Sequence, residues 1–316
     1  MDSFKRIKSY KIATTDSQVL HVEESGMPDG IPALFLHGGP GAGIGHNYHW
    51  PFNGLNYRLI AFDQRGCGRS QPFGCLENNT IGKLIDDIEH LRKHFGVEKW
   101  LLFGGSWGTT LALSYAIKHP NRVSGMVLRG VFLGRDQDAD WFISAQGGAA
   151  QVFYEEYKRF IGNYKGQNSK EVCEAFYADL THADKSVRLE AAARWFDWEG
   201  KISRLLEGQE KASDFASTQQ VYTLALFECH YILNHCFFDS DFIIKNCDVL
   251  QHIPVEIVHG RYDMVCKCES AMLLNNNLPL SNMTIVEDAG HSMTENGIGL
   301  ALVGALRKME TQLNNK

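Results

Sequence analysis

Apolar and polar positions divide the 316-residue chain into two zones of different rhythm. Over about residues 10–131, short apolar runs at 19–24, 33–36, 58–62, 99–103 and 125–131 alternate with helical spacing at 79–95 and 109–119. Runs of this length, bounded by Gly, Asp and Asn, read as strands buried on both faces, with helices carrying the chain back between them. The alternation predicts an α/β fold with a mostly parallel central sheet and helices on both faces. Over about 132–247 the strand signal disappears. Residues 151–161, 170–180, 186–195 and 217–233 are rich in aromatic, Ala, Glu and Lys residues at helical spacing, which predicts a helical insertion. Sheet character returns with Val255-Glu-Ile-Val-His-Gly260 and Met283-Thr-Ile-Val-Glu287, followed by a helix over 298–313. The expected organisation is a core in two pieces, 1–131 and 248–316, with a helical cap over 132–247. Such a cap lies over the carboxyl ends of the strands, where loops that carry chemistry gather.

Composition narrows the function classes. A hydrophobic content of 44% supports a large core, and the net charge of −6 is spread without a long run of one sign. Neither a nucleic-acid surface nor a membrane surface is expected. The opening Met1-Asp-Ser-Phe-Lys-Arg6 has no apolar leader core, and no segment approaches the roughly 18 apolar residues of a span, so a cytoplasmic location is expected. Eight cysteines are scattered without metal-ligand spacing, and Cys229, Cys236 and Cys247 lie in apolar surroundings, so they read as reduced thiols.

One stretch points to a reaction. Leu101-Leu-Phe-Gly-Gly-Ser-Trp-Gly108 places Ser106 in a Gly-x-Ser-x-Gly frame between an apolar run and a helical stretch that stops at Pro120. The strand–turn–helix context predicts a nucleophile elbow that holds the serine out at the tip of a strained turn. A serine hydroxyl is a poor nucleophile at neutral pH and needs a histidine base and an orienting carboxylate. In hydrolases of this type the chain order is Ser, Asp or Glu, His, each partner following a late strand. Asp263 follows the strand over 255–260 and His291 follows the one over 283–287. The expected triad is Ser106, Asp263 and His291. Acyl transfer also needs donors aimed at the developing oxyanion. The run Ala33-Leu-Phe-Leu-His-Gly-Gly-Pro-Gly41 ends in a loop of small residues, and the backbone N–H groups of Gly39 and Trp107 are the expected donors. That loop has neither the lysine of a phosphate-binding loop nor dinucleotide spacing. No metal or organic cofactor is called for.

The motifs His37-Gly-Gly-Pro-Gly41, Asp63-Gln-Arg-Gly-Cys-Gly-Arg-Ser70, Glu77-Asn-Asn-Thr80, Gly104-Gly-Ser-Trp-Gly108, Val127-Leu-Arg-Gly130 and His259-Gly-Arg-Tyr-Asp263 together resemble the prolyl aminopeptidase (proline iminopeptidase) family of α/β-hydrolases. The resemblance extends over nearly the whole chain. It implies release of N-terminal proline from small peptides, with the triad on Ser106, Asp263 and His291. Two cap segments extend it: Ala193-Arg-Trp-Phe-Asp-Trp-Glu199 and Leu226-Phe-Glu-Cys-His-Tyr231 are similar to segments of that family. By that match Glu199 and Glu228 hold the substrate's amino group, and Arg129 orients or partly neutralises them. Read without the resemblance, the two glutamates are ordinary solvated surface residues and Arg129 a salt-bridge partner at a domain boundary.

Trp107, Phe132, Trp195, Phe227 and Tyr231 are candidates for the apolar pocket around the proline ring. Asp63, Gln64 and Arg65 read as support for the catalytic loops. The chain departs from the family at Cys266-Lys-Cys268, where Cys-Pro is common, and at Thr109-Thr110, where smaller residues follow the elbow. Two alternatives remain at this level: a carboxylesterase or other small-acyl hydrolase on the same fold, and a non-catalytic binding protein on a hydrolase scaffold.

Overall fold

A computed structural model describes residues 8–206 and 216–315. The opening segment read for a leader, and the part of the expected cap over 207–215, lie outside the described residues. Eight strands form one sheet: β1 (Lys8–Ala13), β2 (Val19–Gly26), β3 (Ile31–Leu36), β4 (Tyr57–Phe62), β5 (Trp100–Gly105), β6 (Val123–Arg129), β7 (Val255–Gly260) and β8 (Ser281–Val286). Their order is β1-β2-β4-β3-β5-β6-β7-β8. The β1–β2 and β2–β4 pairings are antiparallel, and all others are parallel.

Alternation along the strands divides the core into two layers. Leu34, Leu36, Ile60, Phe62 and Leu102 point to the face covered by α1 (Ile81–His94) and α2 (Trp107–Lys118). Ala33, Phe35, Leu59, Leu101 and Phe103 point to the opposite face. There they meet Ile298, Leu302 and Leu306 of the last helix, Asn296–Asn314. Every residue of β5 and β7 is buried, which is the condition that makes a parallel strand read as an unbroken apolar run. The edge strand β1 gave no such signal because Lys8, Ser9, Lys11 and Ala13 face solvent.

Between β6 and β7 the described residues form helices only: α3 (Asp136–Ile143), α4 (Gly148–Val152), α5 (Tyr154–Ile161), α6 (Ser169–Leu180), α7 (Lys185–Ile202), α8 (Thr218–Leu233) and α9 (Phe242–Lys245), with 3-10 turns at His235–Phe237 and Cys247–Leu250. After β7 come α10 (Cys268–Asn277), β8 and α11 (Asn296–Asn314). Local chemistry starts three of the cap helices. The side chains of Asn168, Asp184 and Ser217 accept from Glu171, Ser186 and Gln220 N–H at the ends of α6, α7 and α8. The single helix expected over 151–161 is instead two. The backbone leaves the helical region at Phe153 (φ −110°, ψ 54°), and the Phe153 ring packs on the apolar core. Rings from three helices interlock in the cap, with Phe160 stacked on Phe176 and Trp198 at centroid distances of 4.8 and 5.3 Å. At the end of the insertion, α9 and the turn Cys247–Leu250 pack on α2 of the sheet layer.

Candidate active site

Ser106 sits between β5 and α2 with φ 57° and ψ −126°, a left-handed conformation that only a tightly held turn sustains in a non-glycine residue. Its N–H donates to the Arg129 carbonyl at 2.9 Å, and its carbonyl accepts from Thr109 N–H at 2.8 Å. Gly108 makes the turn possible, since a Cβ there would lie 2.1 Å from the Leu36 carbonyl oxygen. The two threonines that depart from the family pattern are well used. Thr110 Oγ1 donates to the Phe132 carbonyl at 2.7 Å and Thr109 Oγ1 accepts from Phe132 N–H at 3.0 Å, which fixes the start of the cap to the elbow.

Asp263 and His291 lie on the loops after β7 and β8. Asp263 Oδ2 is 2.7 Å from His291 Nδ1, and its Oδ1 accepts from Val265 and Cys266 N–H at 2.9 and 2.7 Å. Burial alone would raise the Asp263 pKa, but His291, His259 and the Cys266 N–H together hold it below the usual carboxylate value. Burial lowers the His291 pKa and the neighbouring Arg129 lowers it further, against the pull of Asp263, so the imidazole is neutral at pH 7. His259 behind the aspartate is fixed in one tautomer. Its Nδ1 accepts from Val131 N–H at 3.3 Å and its Nε2 donates to the Cys266 carbonyl at 2.9 Å.

The structure joins Asp263 to His291 but does not join His291 to Ser106. The Nε2 that a serine base presents to its nucleophile accepts from Arg129 Nη1 at 2.8 Å instead, and the same Nη1 donates to the His291 carbonyl at 3.0 Å. Ser106 Oγ faces Cys266 Sγ at 3.9 Å. Cys266, from the segment where the chain departs from its family, is therefore a direct neighbour of the serine. Its thiol is buried and pushed well above the usual cysteine range by that burial and by the charge of Asp263.

Gly39, Pro40, Ser106, Trp107 and Glu228 line one small cavity with Phe132, Phe142, Tyr231, Ile232, Cys236, Val265 and Cys266. Its volume is about 20 Å³, room for one water. The first N–H groups of α2, which have no intrahelical partners, lie at this cavity's Ser106 end. Of the five aromatics expected around it, Trp107, Phe132 and Tyr231 are present, while Trp195 and Phe227 are not. Along α8, Glu228, Tyr231 and Ile232 share the face toward Ser106 by their three- and four-residue spacing. Phe227 is turned roughly 100° away, one residue's rotation, and its ring packs over Gly66. Phe142 and Cys236, which the sequence reading missed, stand in short segments without a helical period to display their facing.

Glu199 on α7 and Glu228 on α8 face each other closely enough inside the cap to shift each other's titration, and Glu228 accepts from the Trp195 indole N–H. They are not solvated surface residues. Burial pushes Glu199 up to about 7, against the opposing pull of Glu228 and Arg129, and burial with the Glu199 charge pushes Glu228 well above the ordinary value. The pair therefore retains a shared proton at neutral pH. Glu199 Oε2 and Arg129 Nε are both buried without a partner. Among the described residues, Asp263, Cys266 and His291 bring three potential metal-ligand atoms within 4.8 Å of one another. Their hydrogen bonds and the protonated thiol suit a relay of protons rather than a cation.

A strained serine between β5 and α2, with an aspartate and a histidine on the loops after β7 and β8, defines an enzyme of the α/β-hydrolase class, and a profile of the alpha/beta hydrolase fold matches residues 32–297. The chain is 42% identical over 297 residues to the "Probable proline iminopeptidase" of Leptolyngbya boryana, covering 94% of this chain and 92% of that one. It is 41% identical over 309 residues to the "Proline iminopeptidase" of Arabidopsis thaliana, covering 96% and 80%. The chain belongs to the proline iminopeptidase family. An esterase from Exiguobacterium antarcticum superposes with a TM-score of 0.64 at 21% identity, covering 98% of this chain and 99% of that one, a likeness of fold alone.

Proposed function

We propose that this protein is a serine aminopeptidase that releases N-terminal proline from small peptides through an acyl-enzyme. Membership of the family supports the reaction, and the observation that carries the substrate reading is the buried Glu199–Glu228 pair beside the cavity that holds Ser106. Two carboxylates held out of water are costly unless a cation joins them. The protonated imino group of an N-terminal proline supplies that cation, and an acetylated N-terminus does not. Leaving such a pair uncompensated costs about 3–5 kcal/mol, enough to make a free N-terminus a requirement.

In this scheme His291 takes the Ser106 proton as the oxygen attacks the prolyl carbonyl. Gly39 and Trp107 N–H groups hold the oxyanion, and His291 returns the proton to the departing amine. Water, activated by the same imidazole, then frees proline, while Asp263 keeps the proton on Nδ1. Trp107, Phe132, Phe142 and Tyr231 enclose the ring. The core over 1–131 and 248–316 carries the triad, and the cap over 132–247 carries the amine site. A cytoplasmic setting suits eight cysteines that are all unpaired.

Acid quenching during turnover of a prolyl ester, followed by peptide mass mapping, tests the scheme. A prolyl adduct on Ser106 is the expected result, with Ser106→Ala losing activity by about 10⁴–10⁶-fold. An adduct on Cys266, or full activity in Ser106→Ala, would rule the scheme out.

A further inference from the structure

The base of the proposed mechanism is occupied. A nucleophile can pass its proton only to an imidazole nitrogen with a free lone pair, and His291 Nε2 accepts from the Arg129 guanidinium at 2.8 Å. The cavity beside Ser106 is small, about 20 Å³. Arg129 has a second candidate partner: its Nε and Glu199 Oε2 are both buried without a partner, and the two side chains attract each other. A buried donor and a buried acceptor of opposite charge, each unpaired, gain by pairing.

Resting on the aminopeptidase reading, we propose that Arg129 makes amine recognition a condition of catalysis. Its guanidinium caps His291 Nε2, and a substrate ammonium held by Glu199 and Glu228 draws it across to Glu199, freeing Nε2 for the Ser106 proton. The charges balance. The resting pair shares one proton and carries one negative charge, opposite one guanidinium. The incoming ammonium expels that proton to solvent, leaving two carboxylates against one ammonium and one guanidinium. The second negative charge pulls Arg129 off the histidine. A blocked N-terminus expels no proton and leaves the base capped, so selection for free N-termini falls on kcat as well as on KM.

The substrate can be split to test this, with pyrrolidine as the ring and cation and p-nitrophenyl acetate as a small acyl group that leaves the ring's place vacant. In the wild-type protein, pyrrolidine is expected to accelerate p-nitrophenyl acetate hydrolysis at least 5-fold, a threshold set at roughly 1 kcal/mol. N-acetylpyrrolidine, which has no charge, is expected to leave the rate unchanged. In Arg129→Met the unstimulated rate should rise toward the stimulated wild-type rate, and pyrrolidine should add nothing. A pyrrolidine that only slows ester hydrolysis in the wild type, or an acceleration that persists in Arg129→Met, overturns the proposal. Competition against a prolyl amide separates the two readings. Pyrrolidine that inhibits amide hydrolysis without accelerating the ester removes the cap and keeps the amine site, whereas pyrrolidine that does neither removes the amine site itself. Should Arg129→Met not fold, ¹⁵N NMR of wild-type imidazoles gives an independent result. The His291 Nε2 resonance should move when pyrrolidine binds, and an unmoved resonance contradicts the switch.

Discussion

Gln64 connects the two sides of the proposed oxyanion site. Its side chain accepts from the Trp107 indole N–H at 3.0 Å and donates to the His37 carbonyl at 3.0 Å, and its N–H donates to His37 Nε2 at 3.0 Å. Gln64→Glu keeps the acceptor for Trp107 and loses the donor to His37. It is expected to lower kcat about 10-fold with KM little changed, less than the 10²–10³ lost with a direct oxyanion donor. Steady-state kinetics checks this, and a rise in KM alone would assign Gln64 to binding instead. The same scale sets the pH dependence. His291 is held below its ordinary value, so the acid limb of kcat should lie below about 6.5. Glu199 titrates near 7, and its carboxylate is needed, so KM should fall as pH rises through about 7. It should rise again above about 8, where a substrate α-amine loses its charge. A KM flat across that range would contradict the carboxylate pair. The structure places Ser106, Asp263 and His291 after β5, β7 and β8, and that each stands just after a strand was legible in the sequence. The Arg129–His291 contact was not, because a guanidinium's choice among neighbours depends on which of them lack a partner in three dimensions.

At the scale of elements, the helices that cap the site are tied directly to its loops. Thr223 Oγ1 on α8 donates to the Gly41 carbonyl at 2.9 Å, and the Ser203 carbonyl after α7 accepts from His291 and Ser292 N–H at 2.9 and 2.8 Å. Trp141 on α3 donates to the Asp263 carbonyl at 3.3 Å. Gly41 has φ +100°, and a Cβ there would lie 2.3 Å from the Thr223 carbonyl oxygen. Gly41→Ala should therefore force α8 off the loop, costing about 1–3 kcal/mol of stability and lowering kcat. Thermal melts paired with kinetics test it, and an unchanged variant would show that the contact does not position the loop. The long helices α6 and α8 were legible from their spacing. The break at Phe153 was not, since an aromatic is compatible with a helix and only the core it packs on decides its backbone. Of the two α8 aromatics expected at the pocket, Tyr231 lines the cavity and Phe227 does not, because period alone does not say which stripe meets the site.

The proposed mechanism routes no step through a metal, so a chelator is expected to leave activity unchanged. Among the described residues no helix is long and apolar enough to cross a membrane. The mostly parallel character of the sheet was legible as a rhythm of buried strands and helices, whereas the strand order was not read, and the antiparallel edge at β1 depends on polar residues that carry little periodic signal. If the proposed amine site takes its residues from both cap and core, a ligand there should stabilise the whole fold. Pyrrolidine at about 100 times its Kd should raise the Tm by roughly 5 °C, and no shift at an inhibitory concentration would place it elsewhere. The most direct measurement is kcat/KM for proline 7-amido-4-methylcoumarin beside its N-acetyl form and p-nitrophenyl butyrate. The account predicts at least about 100-fold preference for the free prolyl amide, corresponding to roughly 3 kcal/mol of uncompensated carboxylate. Equal rates on the free and acetylated amides, or ester turnover without prolyl amide hydrolysis, would contradict it.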